Sequence, residues 1–114
     1  MATYDNLPVY GASYDLLLEM FRFTKNFNRE YKYTLGESIK KEIIEMIINI
    51  YKANSDIQGR RVRIQTAREN VEVIRLFLRL IKDLHQVNLN KFVFLNEKIE
   101  SVSKQLVAWQ KSAQ

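Results

Sequence analysis

The chain has 114 residues, of which 46% are hydrophobic and 27% charged, with three glycines, one proline, no cysteine and a formal net charge of +5. This composition excludes a disulfide scaffold and a thiolate metal site and argues against a disordered chain. The sequence has no apolar run of about 20 residues that could span a membrane, and its opening lacks the basic and apolar regions of a signal peptide. We therefore expect one cytoplasmic domain. We expect it to be all-α, because the helix-breaking residues glycine and proline are scarce.

The N-terminal region combines a proline with a glycine and is followed by a helical pattern. Because of Pro8 and Gly11, residues 1–12 are expected to form an irregular arm, and residues 13–114 the domain itself. Ser13 is the expected cap of a first helix that ends near Phe27. Its apolar residues follow helical spacing: Leu16, Leu17, Met20, Phe21, Phe23 and Phe27.

A capping-box pattern predicts the start of the second helix. The Thr34 hydroxyl is expected to accept the Glu37 amide hydrogen, while the Glu37 carboxylate reaches back to the Thr34 amide. The helix is expected to run to about Ala53, because polar residues and then Gly59 follow. Its apolar seam comprises Ile39, Ile43, Met46 and Ile50.

The third helix, expected over residues 60–85, has the clearest apolar pattern in the chain. One seam comprises Ile64, Ala67, Val71, Ile74, Leu78 and Ile81. A second seam comprises Val73, Phe77, Leu80 and Leu84. Two seams exceed what one neighbouring helix covers, so this helix is expected to be central or to form an oligomer contact as well.

The fourth helix is expected to begin after Asn88 or Asn90, since either side chain can cap it. Its apolar stripe comprises Phe92, Leu95, Ile99, Val102, Leu106 and Trp109. The connections between the predicted helices are short, so consecutive helices must be antiparallel neighbours. The sequence therefore predicts an up-down-up-down antiparallel four-helix bundle.

The positive charge of the chain is concentrated on the third predicted helix. Residues 60–82 hold seven cations and two glutamates, whereas the rest of the chain holds eleven charges of each sign. Such a helix is typical of proteins that bind polyanions, most simply nucleic acid, although a solvated face paired with Glu69 and Glu72 is the alternative. Cations at a helix N-terminus are disfavoured by the dipole, and a bound anion would offset that cost. The predicted nucleic-acid-binding residues are Arg60, Arg61, Arg63, Arg68, Arg75, Arg79 and Lys82.

Catalytic and metal-binding patterns are missing from the sequence. His85 is the only histidine, and because a zinc site needs three or four ligands, it is expected to pack at or cap a helix end. There is no Glu-x-x-His motif, phosphate-binding loop or nucleophile motif. We therefore expect a non-enzymatic protein without cofactor or metal. Aromatic residues near the first connection could stack bases but are more typical of core and loop packing, with Tyr31 and Tyr33 the most open to another role.

Several segments together resemble a known family. These are Tyr14-Asp15-Leu16-Leu17-Leu18, Lys25-x-Phe27-x-Arg29, Tyr33-Thr34-Leu35-Gly36, Arg75-x-x-Leu78-Arg79-Leu80-x-Lys82-Asp83-Leu84 and Leu106-x-x-Trp109-x-Lys111. Over about residues 7–111 the chain resembles the accessory variability determinants of diversity-generating retroelements, the Avd family. A related branch is similar to bundle proteins encoded in intervening sequences of bacterial ribosomal RNA genes, and membership of that branch, without a retroelement role, is an alternative.

The resemblance implies a basic four-helix bundle that forms a homo-oligomeric ring, typically a pentamer. It also implies a partner reverse transcriptase and its template RNA, so RNA is favoured over DNA, and a role in mutagenic cDNA synthesis. Two alternatives stay open from the residues. The third helix could dock an acidic protein surface as an adaptor, or its arginines could bridge protomers of a purely structural ring.

Overall fold

A computed structural model describes residues 7–113, which contain helices and no strands. The helices are α1 (Pro8–Thr24), α2 (Arg29–Lys32), α3 (Leu35–Ser55), α4 (Arg60–Asp83) and α5 (Leu89–Ser112). Because α2 is a single turn, the four long helices make an antiparallel bundle, which confirms the predicted fold class. Helix α1 contacts α3, α3 contacts α4, α4 contacts α5, and α5 returns to α1.

The core consists of the apolar seams that helical spacing predicts. The α3 seam and the first α4 seam are fully buried, as are the four central residues of the α5 stripe. Each buried Leu or Ile side chain contributes roughly 1.5–3 kcal/mol relative to leaving it exposed. The α1 pattern is only partly right, since Leu16, Met20 and Phe27 are buried whereas Phe21 is exposed.

Helix α1 begins at Pro8, so the predicted start at Ser13 is wrong. Proline suits the first helical turn because its φ is preset and its missing N–H is not needed there. Ser13 is buried inside the helix, where its hydroxyl donates a hydrogen bond to the Val9 carbonyl oxygen at 2.8 Å. The expected irregular arm therefore does not include residues 8–12, and residues 1–6 lie outside the described part of the chain.

Helix α3 begins directly after Thr34 as predicted, but the capping box does not form. The Thr34 hydroxyl donates instead to the Glu30 carbonyl oxygen at 2.7 Å. The cause is the single turn α2, which the sequence pattern did not predict. It places a helix-end carbonyl that lacks an intrahelical partner within reach of Thr34, and this carbonyl competes with the cap.

The α4–α5 connection confirms the helix-end prediction for His85. Its φ is 58°, its N–H donates to the Lys82 carbonyl at 3.0 Å, and the Gln86 N–H donates to the Ile81 carbonyl at 2.9 Å. This pair of bonds is a Schellman motif with His85 in the left-handed position. Helix α5 then starts with Asn88, whose side-chain oxygen accepts from the Lys91 N–H at 2.8 Å. Asn88, of the two candidates, is the cap.

His85→Gly is expected to raise the free energy of unfolding by about 0.5–1 kcal/mol. The left-handed conformation costs an L-residue roughly 1–2 kcal/mol, and the greater freedom of glycine in the unfolded chain offsets part of the gain. Urea unfolding of the wild type, His85→Gly and the control His85→Ala measures the effect. A gain in His85→Ala equal to that in His85→Gly would contradict the backbone explanation.

A polar bridge joins α3 and α4 beside the apolar core. Asn70 is buried, and its amide nitrogen donates to a Glu42 carboxylate oxygen at 2.6 Å. Its side-chain oxygen accepts from the Asn49 amide at 2.9 Å. Both functional atoms of Asn70 are therefore satisfied, as a buried amide requires.

Candidate nucleic-acid interface

The first turn of α4 holds cations because neighbouring helix ends contact them. Arg60 donates from Nε to the Ala53 carbonyl and from Nη2 to the Asn54 carbonyl, both at 2.8 Å. These carbonyls belong to the last turn of α3, where a cation is favoured by the helix dipole. The Arg60 guanidinium also lies 5.8 Å from the centre of the Trp109 ring on α5.

Arg61 makes the matching contact with the end of α5. Its Nη1 donates to the Gln110 and Ala113 carbonyl oxygens, each at 3.2 Å. Arg63 lies 3.7 Å from the Asp56 carboxylate, in the preceding connection. The two helix ends and this carboxylate thus offset the dipole cost for which the sequence suggested a bound anion.

Arg75 is the most firmly held of the predicted residues. Its Nε and Nη2 donate to the two carboxylate oxygens of Glu100 on α5, each at 2.8 Å, and Nη2 also reaches Ser103 at 3.2 Å. Glu72, one turn earlier on α4, is a second carboxylate partner. The hydrogen bond with Glu100 raises the pKa of Arg75 and lowers the pKa of Glu100. Arg75 therefore ties α4 to α5.

Glu100→Gln is expected to lower stability by about 0.5–1 kcal/mol at pH 7, because solvent screens this partly exposed pair. The pKa of Glu100 is lowered in the folded state. Its stabilisation is therefore present above the unfolded value of about 4.3 and is lost as pH falls through the folded pKa. Urea unfolding at pH 7 and pH 3 should show a smaller difference at pH 3. Glu97→Gln on the same helix is the control, and an equal deficit at both pH values would contradict the ion-pair account.

Arg79 and Lys82 are exposed, and they do not share the hydrogen bonds to α5 that hold Arg61, Arg68 and Arg75. The Arg79 side chain is 79% exposed, with its Nε 3.7 Å from the Asp83 carboxylate. Lys82 is exposed and its Nζ lies 5.1 Å from the centre of the Phe92 ring. Arg68, by contrast, donates to the side-chain oxygen of Gln110. The structure thus brings the predicted residues onto one helix but leaves mainly two of them able to reach a ligand.

Two lysines of α5 extend this cationic surface, and the sequence reasoning missed them. Lys104 and Lys111 are exposed and seven residues apart, hence on one side of α5. Lys104 is close enough to Glu100, the α5 partner of Arg75, to lower the pKa of Glu100 by charge. Like Lys82, neither lysine makes an ion pair within residues 7–113. Their seven-residue spacing was the available signal. We call Arg79, Lys82, Lys104 and Lys111 the α4–α5 cationic surface.

Two separate apolar surfaces are exposed on the bundle. The second predicted seam of α4 is partly exposed, and Leu76 beside it is 57% exposed. The α4 apolar surface comprises Val73, Leu76, Leu80 and Leu84. The second surface lies on the side of α3 away from α4, where exposed apolar residues of α1 and α3 recur at helical spacing. The α1–α3 apolar surface comprises Tyr14, Leu18, Phe21, Ile44, Ile48 and Tyr51.

The aromatic residues near the first connection divide between the core and the surface. Phe27 is buried, and Phe23 and Tyr31 pack against the core, whereas Tyr33 is exposed with the Lys32 Nζ 5.9 Å from its ring centre.

Residues 7–113 contain no cluster of three or more His, Cys, Asp or Glu side chains that could hold a metal ion. In the same range, the helices lack the combination of length and apolar character needed to cross a membrane.

Comparison with known proteins identifies one family. A family model described as bAvd-like matches residues 11–113, which includes all of the helical bundle except the first turn of α1. No curated protein matches the chain.

Proposed function

The chain belongs to the bAvd-like family, and we propose on this basis that it is a non-enzymatic accessory protein of a retroelement. It assembles as a ring, binds RNA in preference to DNA, and assists a partner reverse transcriptase in mutagenic cDNA synthesis. The family supports the accessory role, and the charge distribution supports nucleic acid as a ligand.

The observation that carries RNA binding is the α4–α5 cationic surface. Its three lysines have no ion-pair partner among the described residues, so they can neutralise phosphates without breaking an internal ion pair. Only Lys82 would give up a ring contact, with Phe92. Arg79 has only a long contact with Asp83. Arg75, held on both sides by glutamates, contributes instead by fixing α4 against α5. Phosphate contacts of this kind supply most of the affinity in sequence-independent binding.

The two apolar surfaces support assembly into a ring. The α4 apolar surface is wholly aliphatic, whereas the α1–α3 apolar surface includes three aromatic side chains. A contact between unlike surfaces of identical chains is head-to-tail, and such contacts close into rings when the rotation allows. The family resemblance favours five protomers.

Titration of labelled RNA at 50 mM and 200 mM salt tests the proposal. With 6–10 phosphate contacts per complex, affinity is expected to fall roughly 10³–10⁵-fold between the two salt concentrations. A duplex DNA of the same length is the comparison ligand and should bind more weakly. RNA affinity that does not change with salt would exclude the electrostatic surface as the binding site.

An adaptor function is the second candidate, because exposed Leu76 and its apolar neighbours on α4 could also dock another protein. Co-purification with the reverse transcriptase before and after nuclease treatment separates the two functions. A complex held together through RNA dissociates after nuclease treatment, whereas a direct protein complex persists.

A further inference from the structure

A pair of aromatic rings with lysines over them lies where α1 ends and α5 begins. The Phe23 and Phe94 rings meet edge to face, with centroids 6.2 Å apart and an interplanar angle of 76°. The Lys91 Nζ is 5.4 Å from the Phe23 ring centre, and the Lys98 Nζ is 4.8 Å from that of Phe94. Phe94 is nevertheless 41% exposed, so its ring is only partly used by the fold.

A groove between α1 and α5 opens beside the Phe94 ring. It has a volume of about 290 Å³ and is lined by Ala12, Asp15, Phe94, Glu97, Lys98 and Ser101. Asp15 and Glu97 are exposed and form no ion pair with the described residues. Their four carboxylate oxygens are therefore available as hydrogen-bond acceptors. The groove thus combines an aromatic face, a cation and acceptors within one small space.

This groove is separate from the other surfaces of the bundle. Ala12 and Asp15 lie on the side of α1 that faces α5, whereas Phe21 lies on the side that faces α3, where the Lys40 Nζ is 4.5 Å from its ring centre. A ring built through the two apolar surfaces would leave the α1–α5 groove uncovered.

We propose that the α1–α5 groove binds an unpaired nucleobase of a single-stranded RNA. The base stacks on Phe94, and Lys98 and Lys91 turn from the rings to the flanking phosphates. This inference rests on the proposed RNA-binding function and adds the form of RNA that is recognised. Base stacking on an aromatic side chain changes affinity by roughly 5- to 150-fold per base. Displacing an exposed lysine from a ring costs only about two- to fivefold.

The carboxylates give the groove a preference among bases. Asp15 and Glu97 can accept from the amino group of cytosine, adenine or guanine, whereas they repel a phosphate. Uracil has no amino group, and its single N3–H donor is flanked by two carbonyl oxygens that the same carboxylates repel. The groove should therefore favour cytosine over uracil, which are similar in size. A duplex keeps its bases stacked and paired, so it cannot enter the groove in this way.

The test compares binding of oligo(C), oligo(U) and an RNA duplex of equal length to the wild type and Phe94 variants. Phe94→Leu keeps an apolar side chain but removes the aromatic face, and it should weaken oligo(C) binding about 5- to 20-fold while changing duplex binding less than twofold. Phe94→Tyr should bind oligo(C) like the wild type. Tyr33→Leu is the matched control, because Tyr33 is exposed and has the Lys32 Nζ over its ring but lies outside the groove, and it should bind like the wild type.

A double variant tests the base preference in the same assay. Asp15→Asn with Glu97→Gln raises general affinity by removing negative charge, so the ratio of oligo(C) to oligo(U) affinity is measured. The wild type should prefer oligo(C), and the variant should have lost most of that preference.

The outcomes separate this inference from the proposed function. Equal loss of duplex and oligo(C) binding in Phe94→Leu, or no loss in either, would overturn the base-binding groove while leaving RNA binding by the bundle intact. A wild type that binds none of the three RNAs would overturn the proposed function itself. Thermal unfolding of each variant confirms that binding is compared between folded proteins.

Discussion

Replacing Arg79 and Lys82 together by glutamine is expected to weaken RNA binding roughly 25- to 60-fold at 0.1 M salt for each protomer that contacts the RNA. Each phosphate contact contributes about 0.7–0.9 to the slope of log affinity against log salt. Two contacts therefore contribute about 1.4–1.8, which corresponds to roughly 25- to 60-fold in affinity over the tenfold change in salt from 1 M to 0.1 M. The magnitude of the slope should also fall by about 1.4–1.8, the contribution of these two contacts. Both side chains are exposed, so stability should change by less than about 0.5 kcal/mol.

Lys41→Gln with Lys52→Gln is the control, since it removes the same net charge from exposed positions on α3. It should change RNA affinity by no more than a few fold, because only the long-range field is altered. Salt-dependent titrations of the three proteins measure both affinity and slope. An equal loss in the control variant would show that net charge, and not the α4–α5 cationic surface, determines binding.

Leu76→Glu is expected to dissociate the proposed ring while leaving the bundle folded. Leu76 is the most exposed member of the α4 apolar surface, at 57%, so the free protomer tolerates a charge there. In a packed interface the substitution forfeits roughly 1.5–3 kcal/mol of apolar burial and adds the cost of burying an unpaired carboxylate. The dissociation constant between protomers should rise at least about 100-fold. Light scattering or sedimentation over a range of protein concentrations measures it.

Ile57→Glu is the matched control, because Ile57 is 59% exposed in the connection between α3 and α4. It should leave the mass in solution unchanged. A Leu76→Glu protein with the same mass as the wild type at every concentration would exclude the α4 apolar surface from the protomer contact. Circular dichroism should show equal helix content in all three proteins.

The sequence predicted the bundle because its apolar seams follow the helical period without interruption. The α3 seam, the first α4 seam and the centre of the α5 stripe are buried where the pattern placed them, and the turns around His85 and Asn88 follow from local hydrogen-bonding chemistry. The errors occur where two signals compete. Pro8 can break a helix or begin one, and the side chain that Thr34 would use for a cap is taken by the carbonyl of Glu30.

The candidate site was less predictable, because charge in a sequence does not show what each charge contacts. Arg75 sits in the same stripe as Arg79, yet its main partner Glu100 is 25 residues away on α5. Arg60 and Arg61 looked anomalous at a helix start until the ends of α3 and α5 were placed beside them. Such pairings depend on the crossing of helices, which the period of a single helix does not contain.

The bridge of Glu42, Asn70 and Asn49 limits which substitutions the sequence can accept. A core of Ile, Leu, Val and Met accepts similar side chains in many combinations, and helices with heptad-like seams could mesh again after sliding one turn, about 5.4 Å. Such a slide would separate Asn70 from both of its partners. The amide therefore fixes the register of α3 against α4, while the apolar positions around it are free to exchange. In related sequences, Asn70 and its partners should change together and the core residues independently.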